Sequence, residues 1–411
     1  MSETNPTLTA LFTDIADAIR EKTGDTATII ADDFPDVIRE RFRVISPPAT
    51  PAYLTFSSPS SFTLKVNNAS KNWDGTLEYS TDASTWSTWD GTTTLSSATS
   101  GSDNVLYLRG TGNTVITGNS PNYKWVLTGS DIACIGNIEN LLDYVTVESG
   151  AHPPMAGYCY YYMFQNCKYL TQAPALHATT LATQCYYYMF YNCTGLTQAP
   201  ALPATTLATQ CYHGMFQGCT SLTQAPALPA TTLENKCYAS MFYGCTSLTQ
   251  APALPATTLA TQCYNSMFNS CTGLTQAPAL PATTLKTQCY RSMFQGCTSL
   301  TQAPTLPATT LKTRCYQGMF YACTSLTQAP ALPATTLADY CYRNMFYNCT
   351  SLKLSTTQTG EYTVAYRIPT TGTGTTANSA LNDMFTGTGG TFTGTPEINK
   401  TYYLSNTNTV V

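Results

Sequence analysis

A 26-residue unit recurs eight times through the middle of this chain, almost without change. It reads C-Y-x-x-M-F-x-x-C-T-[SG]-L-T-Q-A-P-A-L-P-A-T-T-L-x-x-x, with its first cysteine at Cys159, Cys185, Cys211, Cys237, Cys263, Cys289, Cys315 and Cys341. A fixed period of this length describes a solenoid, in which each unit buries its apolar side only against its neighbours. Such an array builds a long repeated face and no single deep cleft. The expectation is therefore recognition or scaffolding, not catalysis.

Within a unit, Leu207, Cys211, Met215 and Cys219 follow at i, i+4, i+8 and i+12. That spacing predicts one side of a helix, with Thr205-Thr206 as its N-cap. Ser221 to Ala225 suits a short strand, which Pro226 ends because proline cannot donate to a central ladder. Each coil is then expected to be one helix, one short parallel strand and a proline-bounded return.

The remainder divides by pattern. Residues 1–45 carry the stripe Leu8, Leu11, Ile15, Ile19 and a stop at Gly24, a small helical head for attachment or oligomerisation. Residues 46–52 are a proline-rich linker. Over 53–135 alternating runs (Phe62 to Val66, Leu77 to Tyr79, Val105 to Arg109, Trp125 to Leu127) between turn signals predict a β-sandwich. The solenoid is placed at 136–353. Residues 354–411 hold a degenerate echo, Ala380 to Thr388 with Met384-Phe385 and no cysteine, among Gly/Thr-rich strands: a β-rich cap. The fold class expected is a multidomain α/β solenoid.

Only 10% of the residues are charged, against about a quarter in ordinary proteins. The net charge of −4 does not suggest a nucleic-acid partner. The acidic, amphipathic N-terminus does not resemble a signal peptide, and no run of about 18 apolar residues predicts a membrane span. The 17 cysteines are read as free buried thiols. The two in a unit lie eight residues apart, about 12 Å on a helix, too far to bond. With no C-x-x-C and three scattered histidines, no metal or other cofactor is expected. No carboxylate pair, nucleophile elbow or phosphate loop stands out, so the chain is not expected to be an enzyme.

The unit-to-unit differences are the functional clue. On the expected helix the constant residues fall on one half and the changing ones on the other. One changing series runs Tyr161, Tyr187, His213, Ala239, Asn265, Arg291, Gln317, Arg343. Another runs Gln165, Tyr191, Gln217, Tyr243, Asn269, Gln295, Tyr321, Tyr347. Tyrosine and arginine dominate binding hot spots, so Tyr187, Tyr191, His213, Gln217, Tyr243, Asn265, Arg291, Gln317, Tyr321, Arg343 and Tyr347 are the candidate ligand face. The Thr-Gln of each L-T-Q-A-P reads as a structural ladder. Trp86 and Trp89, beside the Asp90-Gly91 turn, are a candidate sugar-stacking pair, although a three-residue offset on a strand places them on opposite faces.

The M-F-x-x-C-[TS]-x-L run with its proline-marked turn resembles BspA-type leucine-rich repeats, a family that implies surface recognition and adhesion in bacteria and their phages. The head, Leu11-Phe-Thr-Asp-Ile-Ala-Asp-Ala-Ile-Arg-Glu-Lys-Thr-Gly with Asp33-Phe34-Pro35 after it, resembles the N-terminal segment of many phage tail and minor virion proteins. Together these imply a tail-associated, virion-borne protein. Its head would hold other tail proteins and its solenoid would bind a host-surface glycan or protein as a homo-oligomer, without nucleic acid or membrane insertion. A bacterial surface adhesin and a virion protein that binds no host are the alternatives.

Overall fold

The computed structural model describes residues 53–411. The expected head (1–45) and linker (46–52) lie outside them. The four alternating runs form β2 (Thr63–Val66), β3 (Thr76–Ser80), β7 (Asp103–Thr111) and β8 (Trp125–Thr128), and five further strands join them: β1 (Leu54–Ser58), β4 (Ser87–Trp89), β5 (Leu95–Ser96), β6 (Ala98–Ser100) and β9 (Ile132–Ile135). Strand β10 (Leu170–Gln172), from the first repeat, extends one sheet to the order β10-β9-β1-β7-β3-β4, with β6 beside β7; the second sheet is β5-β2-β8. Rings join the two sheets across a shared core: Trp125 lies 5.6 Å from Trp89 and 6.4 Å from Phe56. A short helix, α1 (Asn140–Glu148), interrupted at Asp143, packs on β7 and leads toward the repeats.

The repeats do not contain the expected helix. From Gln184 to Cys193 the backbone is a ribbon of successive turns in which every fourth residue is left-handed: Gln184 (φ 55°), Tyr188 (φ 51°) and Asn192 (φ 56°). Odd-numbered amides bond locally, three residues back (Tyr187 N–H to Gln184 O, Met189 N–H to Tyr186 O, Cys193 N–H to Phe190 O). Even-numbered amides bond to the next coil (Tyr186 N–H to Cys211 O, Tyr188 N–H to His213 O, Phe190 N–H to Met215 O). An α-helix keeps its backbone bonds to itself; this ribbon exports half of them. A lone coil would leave those groups unpaired, so stacking is the condition for folding at all. The same export offsets the cost of left-handed backbone, roughly 1–2 kcal/mol for a residue with a Cβ.

The expected parallel strand is likewise reduced. Most coils meet through single parallel bridges, Gln198 to Gln224 at the L-T-Q-A-P position and Thr232 to Thr258 at the A-T-T position. Only β10 and β11 (Gln328–Ala329) lengthen into strands.

Four residues per turn sort the side chains onto four edges of the ribbon. Leu181, Cys185, Met189 and Cys193 form one inner edge, and Tyr186 and Phe190 another; all are buried. Their equivalents stack coil upon coil, with tyrosine rings 5.5–6.0 Å apart from Tyr160–Tyr186 to Tyr316–Tyr342. Each buried Met or Phe contributes about 1.5–3 kcal/mol of apolar transfer. All 17 cysteines are buried and none is disulfide-bonded.

Both ends of this stack are closed. At the start, Trp125 N–H donates to Met163 O (2.7 Å) and Ile116 N–H to Cys159 O (2.9 Å), so the β region satisfies carbonyls of the first coil. At the end, the echo at 379–387 is a ninth turn of ribbon, left-handed at Ser379, Asp383 and Gly387. It accepts from the eighth through Phe346 N–H to Met384 O, and Phe385 stacks on Phe346 at 5.6 Å. Its outer amides are covered in turn: Phe385 N–H donates to Gly394 O, Asp383 N–H to Thr395 Oγ1 and Gly387 N–H to Thr393 Oγ1. Around it β12 (Lys353–Ser355), β13 (Tyr362–Arg367), β14 (Gly389–Gly390) and β15 (Thr401–Ser405) form a sheet of order β13-β15-β12-β14, and β16 (Thr409–Val410) runs parallel to β11. Exposed edges invite further pairing; these caps remove the solenoid's ends from that risk.

Candidate functional site

The two outer rows of the ribbon carry the unit-to-unit differences. Inter-coil bonds place Tyr161, Tyr187 and His213 in register, and their rings stack at 4.9 Å and 4.9 Å. The row continues through Ala239, Asn265, Arg291, Gln317 and Arg343. All are half-buried except Ala239, which is buried. In the second row Tyr191, Gln217, Gln295, Tyr321 and Tyr347 are half-buried and Asn269 is buried, whereas Tyr243 is 36% exposed. Tyr321 and Tyr347 stack at 4.8 Å. These side chains lie along their neighbours in the adjacent coils rather than standing free, so what they present outward is ring edges, hydroxyls, amides and guanidinium groups.

His213 shows what this packing does to a titratable group. Its ring is stacked on Tyr187 and edge-on to Tyr188 at 5.2 Å, and Nδ1 has no hydrogen-bond partner. Burial, followed by the charge of Lys236, lowers its pKa to about 4. It is a neutral imidazole near pH 7. Tyr188 is pushed up to about 12 by burial and then by its tyrosine neighbours.

Two groupings on the ribbon escaped the reading of single series. At the first coils Tyr158, Tyr161, Tyr162, Tyr187 and Tyr188 form one aromatic cluster, with Tyr162 stacked on Tyr188 at 5.0 Å. At coils six to eight, Lys286, Arg291, Lys312, Arg314 and Arg343 fall on successive coils, and the guanidinium groups of Arg314 and Arg343 share the ring of Tyr340. The signal was present in the 26-residue register, because positions 286 and 312 are equivalent and so are 291 and 343.

Trp86 and Trp89 do not share a platform. Trp89 is buried against Trp73 (5.2 Å) and Trp125, while half-buried Trp86 has the Arg109 guanidinium 4.1 Å over its ring. The opposite face contrasts with the diversified one. Gln198, Gln224, Gln250, Gln276 and Gln302 are exposed above their backbone bridges, alike from the second coil to the sixth.

Among the described residues no helix is long and apolar enough to cross a membrane. Comparison with known families finds the BspA type leucine rich repeat region, in six copies, over residues 156–275 and 235–364. No curated protein and no solved structure gives a match to the chain.

Proposed function

Because this chain belongs to the BspA-type leucine-rich repeat family, we propose that it is an adhesin-type repeat protein whose two diversified outer rows bind a surface ligand. The observation that carries this is the contrast within each coil. Met189, Phe190 and Cys193 and their equivalents are the same in every coil and buried, while the positions equivalent to 187 and 191 change among Tyr, His, Ala, Asn, Gln and Arg. A surface of this form gives multivalent attachment, many weak contacts adding along repeated coils.

The finer reading concerns the carrier. The sequence of the head supports a phage tail-associated protein, held to the virion through residues 1–45 and displaying its coils to the host as a homo-oligomer. An adhesin displayed on a bacterial surface uses the same coils and is the reading the family itself favours.

The test pairs two substitutions. Met241→Asp puts an unpaired charge into a fully buried row and is expected to unfold the array locally, a loss of several kcal/mol. Tyr243→Ala is expected to leave melting unchanged and to lower the fraction of protein bound to intact cells. If wild-type protein and Tyr243→Ala coat cells equally, the outer rows are not the binding face.

A further inference from the structure

The outer face is chemically polarised along the array, tyrosine-rich at its first coils and cationic at its last. Between 286 and 343 the chain carries Lys286, Arg291, Lys312, Arg314 and Arg343 against Asp339 alone, five positive less one negative, in a chain whose net charge is −4. The register draws them onto three successive coils. Ser292 N–H donates to Gln317 O and Gly318 N–H to Arg343 O, both at 2.8 Å, so Arg291, Gln317 and Arg343 share a row. Arg314 N–H donates to Asp339 O. The guanidinium groups of Arg314 and Arg343 lie 4.7 Å and 5.7 Å from the ring of Tyr340, which holds both on one side of the ribbon.

Two further observations show that these cations are not neutralised within the protein. Among the described residues none of the five forms an ion pair, and Asp339 Oδ1 accepts from Asn378 N–H. Arg343 Nε, Gln317 Oε1 and Asn344 Oδ1, neighbours on the same coils, are screened from water and have no hydrogen-bond partner. Buried polar atoms left unpaired are uncommon, and three of them lie on these coils, so the polar groups here are incompletely satisfied by the protein itself.

We propose that this cationic stretch binds a linear acidic polysaccharide, one bearing regularly spaced carboxylate or sulfate groups. This deepens the adhesin reading and rests on it for the face used. Guanidinium forks suit planar and tetrahedral oxyanions. Lys286 and Lys312, both exposed, add mobile charges beside them. Stacked coils, whose phenylalanine rings repeat at 5.7 Å here, present charge as a ladder, which matches a polymer better than a single small anion. Nucleic acid fits less well. A single strand needs open aromatic faces for its bases, and here Tyr340 lies under guanidinium groups while Tyr321 and Tyr347 cover each other. Duplex binding commonly uses about six to ten phosphate contacts, more than this stretch offers.

The test uses the full chain with heparin and alginate as probes, dextran as the neutral control and duplex DNA as competitor. Each cation is replaced by a residue that another coil already holds at that position: Lys286→Ala, Arg291→Asn, Lys312→Ala, Arg314→Gln and Arg343→Asn. The solenoid therefore keeps side chains it already packs, and unchanged melting verifies it. Wild type is expected to bind both acidic polymers and not dextran, to weaken as NaCl rises, and to lose at least about tenfold in affinity in the fivefold variant. Equal binding by the variant overturns the proposal, as does equal binding to dextran or preference for DNA at matched charge. Cells coated in a Tyr243-dependent way without any polysaccharide binding would overturn the ligand class and leave adhesion standing. Polysaccharide bound without coating of cells would do the reverse.

Discussion

The thiol of Cys245 donates a hydrogen bond to the carbonyl oxygen of Phe216, one coil back, at 3.1 Å. The same oxygen accepts the amide of Cys219, also at 3.1 Å. This motif recurs from Cys193 on Phe164 to Cys349 on Phe320. It explains a polar-capable small residue at that position, where a wholly apolar one would fill the space without serving the carbonyl's second lone pair. Cysteine does both, packing as a small hydrophobe with a weak donor.

The thiols should be chemically silent while the array is folded. Burial raises their pKa, to about 12 at Cys219 and Cys271, so the reactive thiolate is scarce at neutral pH and no reagent reaches it. Native protein at pH 8 is expected to leave a disulfide-exchange reagent unreacted, and denatured protein to titrate all 17 cysteines. Stoichiometric reaction of the native form would show that the sulfur rows are accessible or paired. Within the rows, Cys245→Ala should cost about 0.5–1.5 kcal/mol more than Cys237→Ala, a fully buried site without this bond.

Ala322 discriminates the turn ribbon from a helix. Its φ of 57° is left-handed, and glycine adopts that conformation at no steric cost. Ala322→Gly is therefore expected to stabilise the protein, by up to about 1 kcal/mol. In a helix the same change would cost about 1 kcal/mol. A lowered melting temperature for Ala322→Gly would refute the ribbon geometry at this coil.

That position also shows what was legible in the sequence. The interior was: Leu, Cys, Met and Cys recur at steps of four, Tyr and Phe beside them, and all are buried. The secondary structure was misread because steps of four over three turns also fit one side of a 3.6-residue helix. The distinguishing signal lies at Asn166, Asn192, Gly218, Gly244, Ser270, Gly296, Ala322 and Asn348, where Asn or Gly fills six of eight places, the residues that tolerate left-handed backbone. Gly218 shows the preference directly, with a φ of 75°. Trp86 and Trp89 sit outside and inside, as a three-residue offset on a strand requires. The cationic stretch was overlooked because seven bases were counted over 200 residues as a total, while stacking brings Arg314 and Tyr340, a full period apart, into contact.

His213 makes the stability of the third coil depend on pH. Its folded pKa is about 4, below the ordinary 6.5, because burial between Tyr187 and Tyr188 disfavours the cation and Lys236 adds to the effect. Between these values the unfolded chain binds the extra proton and the folded chain does not. Stability is then complete above pH 6.5, falls as the pH drops toward 4, and levels off below that. The depth of this term is about 3 kcal/mol. His213→Asn, which places there the residue Asn265 holds two coils later, removes the term. The wild type is expected to lose more in melting temperature than His213→Asn when both are moved from pH 7 to pH 4.5. Parallel losses in the two proteins would mean that the imidazole is reached by water and that this outer row is looser than its stacking distances describe.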